Sequence, residues 1–251
     1  MDRRFLTAEW RLLLLLNYEV EPGVLEPLVP RGTELDAWDG RTLVSLVGFR
    51  FLRTAVLGVP VPGHRAFDEV NLRFYVRRRA AGGPWRRGVV FLRELVPKRL
   101  VAWTARLLYH EPYRRVPMTH AVDLGRRAPG APGRVEYGWR HRGRRCRLSG
   151  ELHAPLLPLR RSSEAEFVTE HYWGYSRQRD GRTLEYEVRH PPWQVTDVTN
   201  PRFEGTAAAF HGAAFANVLS GPPRSAFFAD GSPVVVFRGR RIPAGDAAVP
   251  E

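Results

Sequence analysis

Lysine is almost absent from this chain: of 39 basic side chains among 251 residues, 38 are arginine and one, Lys98, is lysine. Cysteine is equally scarce. Cys146 stands alone between Arg145 and Arg147, which excludes a disulfide framework and a cysteine-based metal site. The eight histidines show no ligand spacing, so neither a metal nor another cofactor is expected. Long apolar runs are missing too. The longest, residues 12–16, is far too short to cross a bilayer, and Met1-Asp2-Arg3-Arg4 is followed by no signal-peptide core or cleavage site. A cytoplasmic protein with no membrane association is expected.

What is present is enough for a sizeable core: 43% of the residues are hydrophobic. No repeat or linker divides the chain, so residues 1–241 are expected to form a single domain and residues 242–251 a frayed tail. The net charge of +13 invites a nucleic-acid reading. Much of that charge falls between residues 126 and 147. There Val135, Tyr137 and Trp139 alternate before a Gly143 turn, and Cys146 and Leu148 alternate after it, which puts the arginines on the wet face of a hairpin. No recognised nucleic-acid module is visible, and no specific nucleic-acid partner is expected.

The most informative strand covers residues 69–76. Glu69, Asn71, Arg73 and Tyr75 share one face, and Val70, Leu72, Phe74 and Val76 share the other. Such a polar face is either solvated or lines a closed barrel. Residues 80–84 then turn the chain into a second strand over residues 89–96, so antiparallel pairing is the simplest connection. If the pairing has the odd register near residue sum 165, Asn71 faces Glu94, Glu69 faces Val96, and Lys98 lies diagonally from Glu69. Glu69, Asn71, Arg73, Glu94 and Lys98 then converge. An even register removes Lys98 from this group.

Lys98 sits where that strand meets a helix expected over residues 100–109. Arginine holds its proton too tightly to act as a nucleophile, whereas a lysine can be depressed in pKa until its free amine attacks a carbonyl. The positive end of a helix and the charge of Arg99 both push in that direction. The plain alternative is that the last lysine of an arginine-rich composition fell at position 98.

Arg93-Glu94 followed by Pro97-Lys98-Arg99 resembles the Arg-Glu and Pro-Lys-Lys signature of acetoacetate decarboxylase. Over nearly its whole length the chain is also similar to the DUF2071 (YqjF-like) family, which is grouped with the decarboxylase fold. That similarity is carried by Leu46-Val47-Gly48-Phe49-Arg50-Phe51, Gly58-Val59-Pro60, Glu69-Val70-Asn71-Leu72-Arg73, Pro97-Lys98, Thr169-Glu170-His171-Tyr172-Trp173-Gly174-Tyr175 and Ala229-Asp230-Gly231-Ser232-Pro233. The resemblance implies that Lys98 forms a Schiff base, that Arg99 takes the place of a second lysine, and that Glu69 is a catalytic glutamate. A lysine activated by a neighbouring cation is the known property of acetoacetate decarboxylase itself, and it reaches this chain by resemblance alone. Two departures are visible: the glutamate-to-lysine spacing is shorter, and the second lysine is an arginine.

Elsewhere, residues 5–20 fit strand or helix equally. Residues 22–28 predict a short helix closed by Pro30, residues 42–51 a strand, and residues 58–63 and 109–118 loops. Ser163 and Glu166 form a capping-box pattern. Asp180-Gly181 signals a two-residue turn, which would place His171, Trp173 and Tyr175 on one face with Leu184, Tyr186 and Val188 as an aromatic wall. That wall is either plain core or a ligand surface. Residues 205–219 predict an Ala-rich helix and residues 234–238 a last strand.

The fold class expected is α+β and mostly antiparallel, an acetoacetate decarboxylase-like barrel or cone with a few peripheral helices. The function expected is a small-molecule enzyme acting on a keto acid or related carbonyl compound. Lys98, Arg99, Glu69 and Glu94 would be catalytic, with Asn71, Arg73, His171, Trp173 and Tyr175 binding substrate. The alternatives are a non-catalytic barrel that binds a small carbonyl or carboxylate ligand, with Lys98 pairing Glu94 or Glu69, and, behind it, an arginine-rich nucleic-acid binder. A homo-oligomer fits the resemblance.

Overall fold

The computed structural model describes residues 4–60, 63–79, 83–97, 113–125, 132–141, 143–207 and 212–242. In chain order its elements are β1 (Arg4–Glu19), α1 (Pro22–Leu25) with a 3-10 turn (Glu26–Leu28), β2 (Glu34–Leu35), β3 (Leu43–Val56), β4 (Val59–Pro60), β5 (Phe67–Arg79), β6 (Trp85–Val96), β7 (Tyr113–Arg115), β8 (Met118–Asp123), β9 (Gly133–His141), β10 (Arg144–Leu152) and β11 (Leu157–Pro158). They continue with α2 (Glu164–Thr169), β12 (Trp173–Arg177), β13 (Thr183–Arg189), β14 (Gln194–Asp197), β15 (Thr199–Glu204), α3 (Ala213–Ser220), β16 (Ser225–Phe237) and β17 (Arg240–Arg241).

The strands pair in the order β16-β1-β3-β5-β6-β12-β13, and β13 returns to β16 through Val188 opposite Val236 and Arg189 opposite Val235. The pairings therefore close a ring of seven strands. Within it β6 and β12 run parallel, joined by Trp173 opposite Gly88 and Gly174 opposite Val89, and the other pairs are antiparallel. A second sheet, β15-β10-β9-β8, is built as antiparallel pairs. The fold is α+β, mostly antiparallel and cone-like, with short helices.

Two cores result. One fills the ring and contains Leu13, Leu15, Val47, Phe49, Phe51 and Phe67. The other lies between the outer wall and the second sheet, where Leu14, Leu46, Val70 and Leu72 meet Val135, Tyr137, Trp139 and Leu148. This double cover explains why residues 12–16 showed no decisive period: Leu13 to Leu16 are all buried, alternately inward and outward. Gly48 marks the closest approach of the layers, since a Cβ there would lie 2.6 Å from Cδ2 of Tyr137.

The β9–β10 hairpin is as the alternation predicts. Val135, Tyr137, Trp139, Cys146 and Leu148 are buried, whereas Arg134, Arg140, Arg144 and Arg145 are exposed. Arg147 reaches across to Glu204 at 2.7 Å.

Several expectations need correction. Residues 113–115, expected in a loop, form β7 and run parallel to β6. Among the described residues the helix expected over 205–219 is Ala213–Ser220, and the last long strand begins at Ser225 and passes through Gly231 and Pro233 before Val234. Gly231, with φ at +84°, takes a left-handed turn inside the strand, which therefore starts well before the expected Val234. The helix expected over 100–109 and the tail after Ile242 lie outside the described residues. Among the described residues no helix is long and apolar enough to cross a membrane.

Candidate functional site

The polar face of β5 turns inward. Glu69, Asn71 and Arg73 are all buried, and β6 meets them in the odd register, with Val70 opposite Leu95, Asn71 opposite Glu94 and Leu72 opposite Arg93. A bulge follows: Arg73 stands opposite Phe91, so one residue of β6 is unpaired. Its effect is to exchange faces. Phe91 and Val89 line the interior, and Leu92 packs with the outer core.

Glu69, Asn71, Arg73, Glu94, His171 and Trp173 border one cavity of about 160 Å³ inside the ring. Asn71 Nδ2 donates to Glu69 Oε1 at 3.0 Å, and the Tyr113 hydroxyl donates to Glu69 Oε2 at 3.4 Å. Arg73 Nη2 donates to the Val168 carbonyl at 2.9 Å, near the C-terminal end of α2. That helix is set by its cap. Ser163 Oγ accepts the Glu166 N–H at 3.2 Å, and Glu166 Oε2 accepts the Ser162 N–H at 2.6 Å, one residue before the reciprocal bond expected of a capping box.

The chain leaving α2 delivers His171 to the cavity wall. Its ring lies 4.6 Å from that of Tyr75 and 5.6 Å from that of Phe167, centroid to centroid. Neither ring nitrogen has a hydrogen-bond partner among the described residues. Burial holds the His171 pKa well below the ordinary imidazole value, and the charges of Arg87 and Arg73, with His190, act in the same direction. The ring is therefore neutral near pH 7, with one nitrogen able to donate and the other to accept.

The aromatic wall is only partly as expected. The β12–β13 connection is one residue longer than a two-residue turn: Gly181 N–H donates to the Gln178 carbonyl, and the strands close at Arg177 opposite Thr183. Asp-Gly suits a type I turn followed by a left-handed residue as well as the tighter turn, and Gly181 has φ at +77°. The change moves the register by one, which reverses facing residues. Tyr175 consequently leaves the cavity. It stands opposite Glu185, to which its hydroxyl donates at 3.2 Å, and Leu184 does not line the cavity either. Tyr186 and Val188 do, whereas Trp173, opposite Glu187 on the same strand face as Tyr175, borders the cavity and packs against the outer core. Gly174 makes room, because a Cβ there would lie 2.1 Å from Cζ of Tyr186.

Behind this wall Glu185 is fully buried and gathers three guanidinium groups. Arg78 approaches at 3.2 Å, Arg86 at 2.8 Å and Arg240 at 2.8 Å. Burial alone would raise the Glu185 pKa, but hydrogen bonds from Arg240 and Arg86 and the charges of Arg86 and Arg78 outweigh it and hold the carboxyl below the usual range. Arg86 also lies over the Trp173 ring at 4.4 Å.

Sequence reading missed Tyr113 and Gly174 as site residues. Gly174 does carry a signal, a glycine between Trp and Tyr inside a strand pattern, where a close approach is the usual reason. Tyr113 carries none, since β7 joins β6 by long-range parallel pairing. Lys98 and Arg99 lie outside the described residues. Pro97, just before them, follows the end of β6. Among the described residues no three His, Cys, Asp or Glu side chains form a metal-holding group. The described set of two carboxylates, an amide, a guanidinium and a neutral imidazole can fork a carboxylate, orient a carbonyl and move protons.

The chain is 28% identical over 209 residues to the uncharacterized protein YqjF of Bacillus subtilis, covering 81% of this chain and 80% of that protein. Among solved structures it is similar to an acetoacetate decarboxylase-like enzyme from Sphingomonas wittichii, at 16% identity and a TM-score of 0.62, covering 96% of this chain and 94% of the other. The acetoacetate decarboxylase of Legionella pneumophila aligns at 13% identity and a TM-score of 0.61, over 97% and 90% of the two chains. The enduracididine biosynthesis enzyme MppR, solved in complex with pyruvate, aligns at 14% identity and a TM-score of 0.63, over 96% and 91%. At these identities the structural likeness establishes a shared fold. Residues 7–233 match the family model of DUF2071, described as an uncharacterized conserved protein, and the chain belongs to that family.

Proposed function

We propose that this protein is a small-molecule enzyme that acts on a keto acid or related carbonyl compound through a Schiff base at Lys98. The observation that carries the reading is the convergence of Glu69, Asn71, Arg73, Glu94 and an unpartnered His171 on one cavity, along the strand pair that leads to Lys98. Val96 is the last residue of β6, and Lys98 follows it by two residues, a reach of roughly 7 Å.

In this scheme the free amine of Lys98 adds to the substrate carbonyl and water leaves, giving an iminium that accepts the electron pair of an adjacent breaking bond. Arg73, held through one nitrogen by the Val168 carbonyl, offers its remaining N–H groups to a substrate carboxylate. Glu69 and Glu94 exchange protons with the addition and elimination intermediates, and Asn71 keeps Glu69 oriented. Arg99 depresses the lysine pKa, as the resemblance to acetoacetate decarboxylase implies.

The test is borohydride reduction in the presence of a panel of keto acids and aldehydes, read by intact mass and peptide mapping. The expected result is a single adduct on the peptide carrying Lys98, lost in Lys98→Arg while that variant stays folded. If no carbonyl compound gives a reducible adduct and Lys98→Arg binds a confirmed ligand as the wild type does, the Schiff base is given up and the ligand-binding pocket alone is kept.

A further inference from the structure

We infer that the ligand of this cavity is amphipathic, with a carboxylate or carbonyl head held on β5 and β6 and an aryl or aliphatic tail of about six carbon atoms lying against β1, β13 and β16. The inference deepens the proposed function and rests on it for the head; the tail is argued from the opposite wall. In the seven-strand ring, β16 is three strands away from β5 in one direction and three from β6 in the other, so it faces them across the interior. Glu69, Asn71, Arg73 and Glu94 all come from β5 and β6, with His171 beside them. The facing wall is made of Leu6, Trp10, Tyr186, Val188 and Val236, with Phe5 and Leu13. Among the described residues of that wall, Trp10 and Tyr186 are the side chains that carry any polar atom.

A two- or three-carbon acid bound to the polar wall leaves this apolar surface without a partner. The size of the space argues the same way. An engineered cavity of about 150 Å³ lined by apolar side chains stays dry and takes up benzene, and the space here is about 160 Å³. One wall thus fixes an oriented polar group, and the other has room for a ring or short chain. His171, more than nine-tenths buried with neither nitrogen bonded to a described residue, supplies the independent sign that a polar ligand group completes the site.

The experiment uses saturated acids, which form no Schiff base: isothermal titration of the full chain with propanoate, butanoate, hexanoate and 3-phenylpropanoate. Affinity is expected to rise about fourfold per added methylene, and 3-phenylpropanoate is expected to bind about 30-fold or more tighter than propanoate. Val236→Phe and, independently, Val188→Phe fill the apolar end and should cut the 3-phenylpropanoate to propanoate ratio by about tenfold. Affinity that is flat or falls with chain length, or no measurable binding of any acid, overturns the inference. So does a ratio unchanged in both variants. The result is separable from the Schiff base: a chain-length gain without borohydride trapping keeps the tail and drops the imine, and trapping of a pyruvate-sized compound without a chain-length gain does the reverse.

Discussion

Replacing Glu185 by Gln should be among the most destabilising single changes available outside the cavity. The substitution keeps the shape and removes one negative charge from the centre of Arg78, Arg86 and Arg240. Arg86 and Arg240 are 22% and 52% exposed at the side chain and can turn to water, but Arg78 is 3% exposed and Glu185 1%. The cost therefore rests on the buried pair, and breaking such a pair by removing one partner typically costs about 3–5 kcal/mol. For a chain of this length that corresponds to a fall in Tm of roughly 6–20 °C. Arg240→Gln, at the exposed end of the same cluster, should cost about 1 kcal/mol or less. Because the folded carboxyl of Glu185 titrates below its unfolded value, its contribution is complete above about pH 4.5 and is lost as pH falls through the folded value. The gap between wild type and Glu185→Gln should then narrow in acid. Thermal melts at pH 7 and at a series of values below 4.5 test both statements. A Glu185→Gln variant melting within about 2 °C of wild type, or a gap that does not narrow, would refute the reasoning.

Gly48→Ala should destabilise by about 1–3 kcal/mol in chemical denaturation, because its Cβ would collide with the Tyr137 ring, which is anchored by a 2.7 Å hydrogen bond from its hydroxyl to the Leu12 carbonyl. The His171 ring should stay neutral well below pH 6.5 when followed by NMR. Its folded pKa is depressed, so its contribution to stability is complete above pH 6.5 and falls by at most about 1.4 kcal/mol per pH unit as pH drops below that value, and His171→Gln should remove this share of the acid sensitivity. Random duplex DNA should bind weakly to the arginines of the β9–β10 hairpin, with a steep loss on adding salt and no sequence preference; tight selective binding at physiological salt would contradict the solvated-face reading.

What was legible in the sequence was whatever local period decides. The alternation of Glu69, Asn71 and Arg73 against Val70 and Leu72, and of Tyr137 and Trp139 against the arginines, is a property of single strands. The odd register between β5 and β6 was one of two options, and the structure adopts it up to the bulge at Arg73. The less legible features were those set by distant partners. β1 gave no period because both its faces are covered, β7 joins β6 from outside any hairpin, and β16 hid its first half behind Gly231 and Pro233. Tyr175 departs from its expected face because Asp180-Gly181 serves two turn lengths and a one-residue difference reverses a strand.

The double cover of β5 has a consequence for how such a protein diversifies. Neighbouring residues along that strand answer to separate demands: Glu69, Asn71 and Arg73 face the cavity, and Val70, Leu72 and Phe74 hold the second sheet in place. A lineage can exchange every other residue and acquire new chemistry while the intervening positions keep the architecture intact. The shared fold at 13–16% identity with decarboxylase-like proteins is what such a division of labour permits. In this barrel inheritance and invention are interleaved residue by residue.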